Sequence, residues 1–160
     1  MTKIGVISDT HLMELSLALE KRLRLLFADC PLIIHCGDLV HLNVLDSFHD
    51  REVLAVAGNM DGADVRRSFP LKRKTRIEDV NLGIIHGWGA PEGIRSRIRR
   101  EFEGVELICY GHSHQPFAAT ETGIFFMNPG SPTRPRFTAA GTVGIIEVHG
   151  KEIRGDILAL

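Results

Sequence analysis

Seven side chains that can bind metal ions follow short apolar segments of this sequence. They are Asp9, His11, Asp38, Asn59, His86, His112 and His114. The apolar segments that precede them span residues 4–7, 32–34, 53–57, 83–85 and 107–110. Short apolar segments bounded by glycine are typical of buried strands. Because the functional crevice of an open α/β sheet lies outside the carboxyl ends of its strands, we expect the seven side chains at one edge of a sheet.

This donor set mixes nitrogen and oxygen: four histidines, two aspartates and one asparagine. Such a set suits Mn²⁺, Fe, Ni²⁺, Co²⁺ or Zn²⁺ better than Mg²⁺ or Ca²⁺. It is too large for one tetrahedral ion but matches two ions that share a carboxylate, with positions left for water and substrate. Two divalent ions about 3.5–4 Å apart can hold the attacking and the leaving oxygen of a displacement at phosphorus. The pattern therefore favours a dinuclear metal centre that acts on a phosphate ester.

Length and composition predict a single domain over residues 1–160 in a soluble protein. Apolar residues make up 44% of the chain and charged residues 24%, and the formal net charge is −1. This charge gives no global attraction to nucleic acid or to anionic lipid, so neither is expected as a partner. The three cysteines form no CxxC pair, and the chain opens directly into a strand. Buried reduced thiols and a cytoplasmic location are expected.

The apolar periodicity predicts strands and helices that alternate through the first half of the chain. Helices are expected over residues 12–28, 40–50 and 91–103. In the second half, strands are expected over residues 107–110, 116–121, 124–128, 143–149 and 152–158. Parallel units followed by antiparallel hairpins predict an α/β fold in which two sheets pack face to face, with helices outside.

The polar blocks at the strand ends resemble the signature of the calcineurin-like metallophosphoesterases. These blocks are Asp9-Thr10-His11, Gly37-Asp38, Gly58-Asn59-Met60-Asp61, His86-Gly87 and Gly111-His112-Ser113-His114. A further segment, Asn128-Pro129-Gly130-Ser131, is similar to one in the small bacterial and archaeal branch, the YfcE-type phosphodiesterases. The resemblance implies a four-layer αββα sandwich of two mixed sheets that binds two divalent ions. Mn²⁺ is the expected ion, with Ni²⁺, Co²⁺, Fe or Zn²⁺ as alternatives.

The resemblance also implies a role for each of the seven side chains. Asp9, His11 and His114 would hold one ion, Asn59, His86 and His112 the other, and Asp38 would bridge both. Asp38, Asn59 and His112 are the expected catalytic residues, and Asn59 is also expected to contact a phosphate oxygen. The implied reaction is in-line attack by a metal-bridging hydroxide on a small soluble phosphodiester.

Met60 departs from the pattern of the family. Many members carry at this position a histidine that is thought to protonate the leaving group, whereas a thioether cannot donate a proton. Efficient cleavage of ordinary phosphomonoesters is therefore not expected, and diesters with acidic leaving groups are favoured. The YfcE-type branch also lacks that histidine.

Five residues outside the ligand set have two interpretations each. Arg134 and Arg136, in a proline-rich loop, either bind a substrate phosphate or belong to a surface turn. Trp88 either stacks on a base or an aromatic leaving group of the substrate or packs in the core or at its rim, and packing is favoured. Asp61 either supports a ligand or is a turn residue, and the turn is favoured. His35 is more consistent with support of the centre than with direct ligation.

Other functions of this fold are weaker alternatives. A non-catalytic scaffold, similar to the retromer subunit that resembles this family, would have lost part of the histidine set, which is complete here. A phosphomonoesterase or nucleotide phosphatase would need the acid that Met60 does not supply. A homo-oligomer, dimer or tetramer, is expected from related small proteins.

Overall fold

Ten strands form two five-stranded sheets in the computed structural model, which describes residues 1–160. The strands are β1 (Thr2–Ile7), β2 (Leu32–His35), β3 (Glu52–Ala55), β4 (Lys72–Ile77), β5 (Val80–Ile85), β6 (Leu107–Tyr110), β7 (Phe117–Glu121), β8 (Ile124–Asn128), β9 (Thr142–His149) and β10 (Glu152–Ala159). The first sheet has the order β10-β9-β1-β2-β3 and the second the order β4-β5-β6-β8-β7. Both are mixed. In the first sheet β1, β2 and β3 run parallel, β9 pairs antiparallel with β1, and β10 pairs antiparallel with β9. In the second sheet β5, β6 and β8 run parallel, and the edge strands β4 and β7 pair antiparallel with β5 and β8.

The helices cover the outer faces of the two sheets. They are α1 (Leu17–Leu26), α2 (Ala63–Ser68), α3 (Ile94–Arg99) and a 3₁₀ helix over Leu42–Phe48. Leu23 of α1 packs in a cluster with Ile7 and Ile33 of the first sheet, and Ile98 of α3 packs in another with Ile108 of the second. A cluster of 16 buried residues from both sheets fills the space between them. The predicted α/β fold, with two mixed sheets in an αββα sandwich, is confirmed.

Two of the predicted helices are shorter than the periodicity indicated. The helix expected over 12–28 begins only at Leu17, because the backbone N–H of Leu12 bonds to the Leu39 carbonyl and holds this part of the chain beside the loop after β2. The Ser16 hydroxyl then caps the first turn by accepting from the backbone N–H of Leu19. The helix expected over 91–103 begins at Ile94, because Gly93 has a φ of 70° and cannot continue a right-handed helix.

The helix expected over 40–50 is a 3₁₀ helix, and two elements were not predicted at all. These are α2, which is only six residues long, and β4, an edge strand. The exposed positions of β4 are Lys72, Lys74 and Arg76, and the half-buried ones include Arg73 and Thr75. An apolar pattern therefore never marks this strand.

Three predictions about the cysteines and hairpins agree with the structure. Cys30, Cys36 and Cys109 are buried free thiols. The predicted antiparallel hairpins pair β7 with β8 and β9 with β10, and Gly123 and Gly150 in their turns both have positive φ. None of the helices has the length and apolar character needed to cross a membrane.

Candidate metal centre

The seven predicted side chains come together at one edge of the sandwich, in the loops that follow five strands. The first sheet contributes Asp9 and His11 after β1, Asp38 after β2 and Asn59 after β3. The second sheet contributes His86 after β5, and His112 and His114 after β6. The site therefore draws on both sheets, at the ends of the buried strands that the apolar segments identified.

The two oxygens of Asp9 differ in their surroundings. Oδ2 accepts hydrogen bonds from the Ser8 hydroxyl at 2.7 Å and from the backbone N–H of His112 at 3.0 Å. Oδ1 is buried without a hydrogen-bond partner. It lies 3.3 Å from His114 Nε2, 3.8 Å from His11 Nε2 and 4.0 Å from His86 Nε2. A buried, unpaired carboxylate oxygen that faces three imidazole nitrogens is a suitable position for a cation.

Asp38 repeats this division of its two oxygens. Oδ1 accepts from the backbone N–H of Met60 at 2.7 Å. Oδ2 lies 3.3 Å from His86 Nε2 and 3.8 Å from His11 Nε2. Two groups of side chains have ligand atoms close enough together to hold a metal ion. One is Asp9 with His11 and His114, and the other is Asp9 with Asp38 and His86. Asp9 belongs to both groups, so its position suits a shared ligand as well as that of Asp38 does.

Asn59 lies at the second of these groups. Its Oδ1 is 3.1 Å from His86 Nε2 and 3.0 Å from His112 Nδ1. An amide oxygen between two imidazole nitrogens can accept from one of them or share a cation with both. The residue is exposed to solvent, so the same oxygen and amide are open to a ligand from outside.

Backbone carbonyl groups orient three of the imidazole rings. His86 Nδ1 lies 2.8 Å from the carbonyl oxygen of Cys36, His114 Nδ1 2.8 Å from that of Arg134, and His112 Nε2 3.0 Å from that of Gly89. A carbonyl can only accept, so each of these nitrogens carries the proton. The opposite nitrogen of each ring is then a lone-pair donor directed into the site, as in histidines that bind metals.

Burial and charge act in opposite directions on the pKa values of these histidines. For His86 and His114, burial alone would lower the pKa, but the negative charge of the nearby carboxylates outweighs it and the pKa is raised. For His11 and His112, burial dominates and the pKa is lowered. Burial would raise the carboxyl pKa of Asp38, but the neighbouring His86 and the hydrogen bond from the Met60 backbone N–H outweigh it, and the pKa is lowered. Asp38 is therefore a carboxylate anion among histidine side chains, and this charge suits divalent cations.

A model described as the calcineurin-like phosphoesterase superfamily domain matches residues 2–151 of the chain. The chain belongs to this family. A probable metallophosphoesterase of Methanocaldococcus jannaschii is 43% identical over 138 residues, which are 83% of this chain and 69% of that protein. The structure of an archaeal phosphodiesterase is 26% identical with a TM-score of 0.75, and the match covers 98% of this chain and 100% of that one.

More distant calcineurin-like structures share the fold. The phosphoesterase YfcE of E. coli is 21% identical, with a TM-score of 0.70 over 91% of this chain and 88% of that one. Vps29 of Chaetomium thermophilum is 17% identical, with a TM-score of 0.75 over 99% and 97%. The predicted family and its small phosphodiesterase branch are confirmed. The protein is a metal-dependent phosphoesterase, the enzyme class predicted from the sequence.

Five of the seven candidate ligands in this calcineurin-like centre have left-handed backbone. The φ angles are 55° at Asp9, 47° at His11, 55° at Asp38, 68° at His112 and 56° at His114. This region is uncommon for residues other than glycine and carries a cost of about 1 kcal/mol or more for each residue. Such strain concentrates at functional sites, and here the hydrogen bonds of the loops maintain it.

Two glycines of the blocks are required by close approach. A Cβ on Gly58 would lie 2.2 Å from Asp38 Oδ1, and one on Gly111 would lie 1.9 Å from Ser8 Oγ and 2.6 Å from Asp9 Oδ2. Any side chain at either position would displace a carboxylate of the centre. The glycines of the family blocks therefore have a steric role beside the ligands.

Asp61 supports the centre, so the favoured interpretation of it as a mere turn residue is wrong. Its buried carboxylate accepts from the backbone N–H groups of Asp38 at 2.9 Å, Val40 at 2.6 Å and Gly58 at 2.6 Å. Val40 has a φ of 80°, which is strained for a β-branched residue, and one of these bonds holds it there. The sequence offered only the position of Asp61 beside Asn59 as a signal.

His35 and the Asn128–Ser131 segment stabilise the loops that carry the candidate ligands. His35 is fully buried and contacts the Thr10 hydroxyl through Nε2 at 3.2 Å, so it supports the centre rather than joining it. Asn128 donates to the carbonyl of Gly111 at 3.0 Å, and the Ser131 hydroxyl donates to the carbonyl of Asp9 at 2.7 Å. The segment that resembles the small branch thus connects the loops after β1 and β6.

The two arginines and Met60 lie around the opening of the centre. Met60 and Arg136 line a cleft of about 160 Å³ together with His11, Asp38 and His112. The side chains of Arg134 and Arg136 are exposed, and the Arg134 carbonyl holds His114. Met60 is 57% exposed.

Proposed function

We propose that the protein is a dimetal phosphodiesterase that hydrolyses a small, soluble phosphodiester with an acidic leaving group. Residues 1–160 would act as one catalytic domain. Asp9, His11 and His114 would hold one ion, and Asn59, His86 and His112 the other, with Asp38 shared. Mn²⁺ is the first choice, and Ni²⁺, Co²⁺, Fe and Zn²⁺ fit the same donors.

The unpaired Oδ1 of Asp9 is the observation that carries this proposal. A carboxylate oxygen without a donor in the interior costs free energy unless a cation compensates it. Three imidazole nitrogens within 4.0 Å of that oxygen complete a mixed nitrogen and oxygen donor set. Asp38 Oδ2 supplies a second free oxygen 3.3 Å from His86 Nε2. These donors thus support two ions that share the carboxylate of Asp38, that of Asp9, or both.

Two divalent ions, when bound, would lower the pKa of a shared water and stabilise the charge that develops on phosphorus. The residues of the chain supply the orientation. Asn59 is exposed beside the ligands and would donate its amide to a phosphate oxygen. Arg136, on the wall of the cleft, would offer its guanidinium to a second phosphate oxygen, with Arg134 beside it.

The lining of the same cleft supports the proposed preference for diesters with acidic leaving groups. The residues that line it include Met60 at the position of the family histidine. A thioether cannot protonate an alkoxide as it leaves, so the substrate would have to supply a stable leaving group or its own proton. This argues against a phosphomonoesterase. The complete set of seven ligand positions argues against a non-catalytic scaffold.

Hydrolysis of bis(p-nitrophenyl) phosphate by chelator-stripped protein tests the proposal. Mn²⁺, Ni²⁺, Co²⁺, Zn²⁺ and Mg²⁺ would each be added back, with p-nitrophenyl phosphate assayed in parallel. We expect activity to return with Mn²⁺ and to favour the diester. No activity with any metal, although calorimetry detects two bound ions, would contradict the proposal and support a scaffold. Cytoplasmic location and homo-oligomerisation stay predictions.

A further inference from the structure

A groove larger than the metal cleft lies against the centre. Its volume is about 830 Å³, and it runs between α2, the start of β4 and the loop after β5. Asn59 and His86 form its inner end, and Asn59 also lines the metal cleft. A phosphate ester bound at the metals would therefore extend one of its organic groups into this groove.

The outer part of the groove is apolar and open to solvent. Phe69, Pro70 and Leu71 form one side, and Trp88 lies among the residues of the loop after β5. Leu71 is 71% exposed and Trp88 is 45% exposed, so the tryptophan is not a core residue. An exposed indole in a groove offers a flat surface for stacking, and its apolar neighbours would be covered by a bound ring.

Hydrogen bonds fix the loop that carries Trp88. Arg97 donates to the Trp88 carbonyl through Nε at 3.1 Å and through Nη2 at 2.9 Å, and to the Glu92 carbonyl at 2.9 Å. On the other side of the loop, His112 Nε2 lies 3.0 Å from the Gly89 carbonyl. The backbone that carries the indole is thus fixed relative to a candidate metal ligand, which reduces the ordering cost of stacking.

The charges in the groove suit a neutral ring attached to the phosphate. Lys72 is paired with Glu101 at 2.9 Å, which leaves Arg66 as the cation without a carboxylate partner in the groove. Arg66 Nη2 donates to the Asn59 carbonyl at 2.9 Å, so the guanidinium lies at the inner end. Its remaining N–H groups could donate to an ester oxygen or to a carbonyl on the ring.

We infer that this groove binds the organic group of the substrate and that this group carries a flat aromatic ring of about nucleoside size. The volume falls within the range of about 300–1,000 Å³ that is typical of small-molecule sites. The inference rests on the proposed function, since the metal centre at its inner end identifies the occupant as part of a phosphate ester.

Trp88 is the only tryptophan of the chain, so its fluorescence reports the groove without any catalysis. Thymidine 5′-monophosphate and methyl phosphate, which lacks a ring, would be titrated into the metal-loaded protein with excitation at the red edge of the indole band. We expect saturable quenching by the nucleotide and none by methyl phosphate. Quenching by both or by neither would overturn the inference.

Competitive inhibition of bis(p-nitrophenyl) phosphate hydrolysis by the same two compounds gives the second measurement. We expect the nucleotide to bind about tenfold more tightly than methyl phosphate, because stacking on an aromatic side chain contributes roughly this factor for one base. Trp88→Ala should remove the advantage and Trp88→Phe should retain most of it, while inhibition by methyl phosphate stays constant. Phe137→Ala, at an exposed aromatic residue that does not line the groove, is the matched control.

The two proposals fail in different ways. If metal-restored hydrolysis is absent, the phosphodiesterase proposal fails, and the fluorescence titration still decides what the groove binds. If hydrolysis is present but Trp88→Ala leaves the nucleotide advantage unchanged, the groove inference fails alone. If the groove is instead a contact between protein chains, Trp88 fluorescence without nucleotide would depend on the protein concentration. This result would also overturn the groove inference.

Discussion

The carboxylate of Asp61 accepts a hydrogen bond from the backbone N–H of Asp38, with 2.9 Å between Oδ2 and the nitrogen. The same buried carboxylate accepts from Val40 and Gly58, so one side chain ties the loop after β2 to the loop after β3. Since Asp38 and Asn59 lie in these two loops, Asp61 sets the relative positions of two candidate ligands.

Asp61→Asn should lower both stability and metal affinity. The amide replaces one carboxylate oxygen with a donor, so at least one backbone N–H loses its acceptor, at a cost of about 1–3 kcal/mol. Urea unfolding would measure the free energy, and calorimetric titration with Mn²⁺ would measure the affinity. Asp79→Asn is the control, because its carboxylate pairs with Arg76 at the surface. Equal results for the two variants would show that Asp61 does not position the loops.

Asp38→Ala should abolish metal-dependent hydrolysis. The substitution removes the oxygen that lies 3.3 Å from His86 Nε2 and 3.8 Å from His11 Nε2. Bis(p-nitrophenyl) phosphate turnover and the number of bound ions would be measured together, and we expect fewer than two ions. Asp46→Ala, at an exposed position of the 3₁₀ helix, should keep both. Near wild-type turnover in Asp38→Ala would refute the proposed ligand assignment.

Met60→His should increase turnover selectively for poor leaving groups. The position lines the metal cleft and is 57% exposed, so an imidazole there could reach the leaving oxygen. We expect hydrolysis of diphenyl phosphate to rise about tenfold, below the roughly 10²–10⁴ of an optimised general acid. Asp61 is already engaged by three backbone N–H groups and is less free to orient the ring.

Bis(p-nitrophenyl) phosphate provides the internal comparison for this variant. Its leaving group needs no proton, so its turnover should change less than about twofold. Met60→Gln is the control for polarity at the position, because an amide does not transfer a proton near neutral pH. An equal gain on both substrates would count against the missing acid as the cause.

Arg136→Ala should weaken substrate binding. Loss of a guanidinium that pairs with a phosphate oxygen costs about 1.5–3 kcal/mol, which corresponds to a decrease in kcat/KM of roughly ten- to a hundredfold. The measurement is steady-state hydrolysis of the diester in saturating Mn²⁺. Arg154→Ala, at an exposed position of β10, is the matched control. If Arg136→Ala behaves like Arg154→Ala, the proline-rich loop is only a surface turn.

Acid should destabilise the protein partly through His35. Burial lowers its pKa to about 3, from an ordinary value of 6.5. Gly37 donates its backbone N–H to Nδ1 at 3.2 Å, and Nε2 faces the Thr10 hydroxyl, so the folded protein holds the neutral ring. Below about pH 6.5 the His35 ring is protonated in the unfolded chain but stays neutral in the folded protein. The free energy of unfolding therefore decreases as the pH falls toward 3.

Urea unfolding of the chelator-treated protein at pH 7.5 and 5.0 measures this loss. The single group should contribute about 2 kcal/mol, since 1.5 pH units separate 6.5 from 5.0 and each is equivalent to about 1.4 kcal/mol. His35→Asn keeps an acceptor for Gly37 but does not titrate. Between pH 7.5 and 5.0 the variant should therefore lose about 2 kcal/mol less stability than the wild-type protein. An equal loss in both proteins would place the acid sensitivity at the other histidines.

The strands and the clustering of the candidate ligands could be predicted because one pattern encodes both. Buried parallel strands need apolar runs, and the polar side chains that follow these runs lie at the carboxyl edge of the sheet. The expectation of a single sheet was wrong, because the structure brings the edges of two sheets together. The same logic failed for β4, whose exposed and half-buried positions carry mainly basic side chains. It also overextended α1, because contact between Leu12 and Leu39 is a tertiary effect.

The groups that orient the candidate ligands could mostly not be predicted from sequence patterns. The groups that orient His86, His112 and His114 are backbone carbonyls, which every residue possesses. The role of Asp61 depends on how three N–H groups from two loops converge, and no spacing rule expresses this. Trp88 was expected to pack, yet the loop held by Arg97 exposes it.

The origin of the candidate ligands in both sheets has a mechanical consequence. Asp9, His11, Asp38 and Asn59 belong to one sheet and His86, His112 and His114 to the other. Ions bound among them would fasten the two halves of the sandwich at one end, much as a disulfide would, in a chain whose three cysteines are all free. Chelation would then remove one connection between the sheets at that end and leave the hydrogen bonds that already join their loops, such as the bond from the His112 backbone N–H to Asp9.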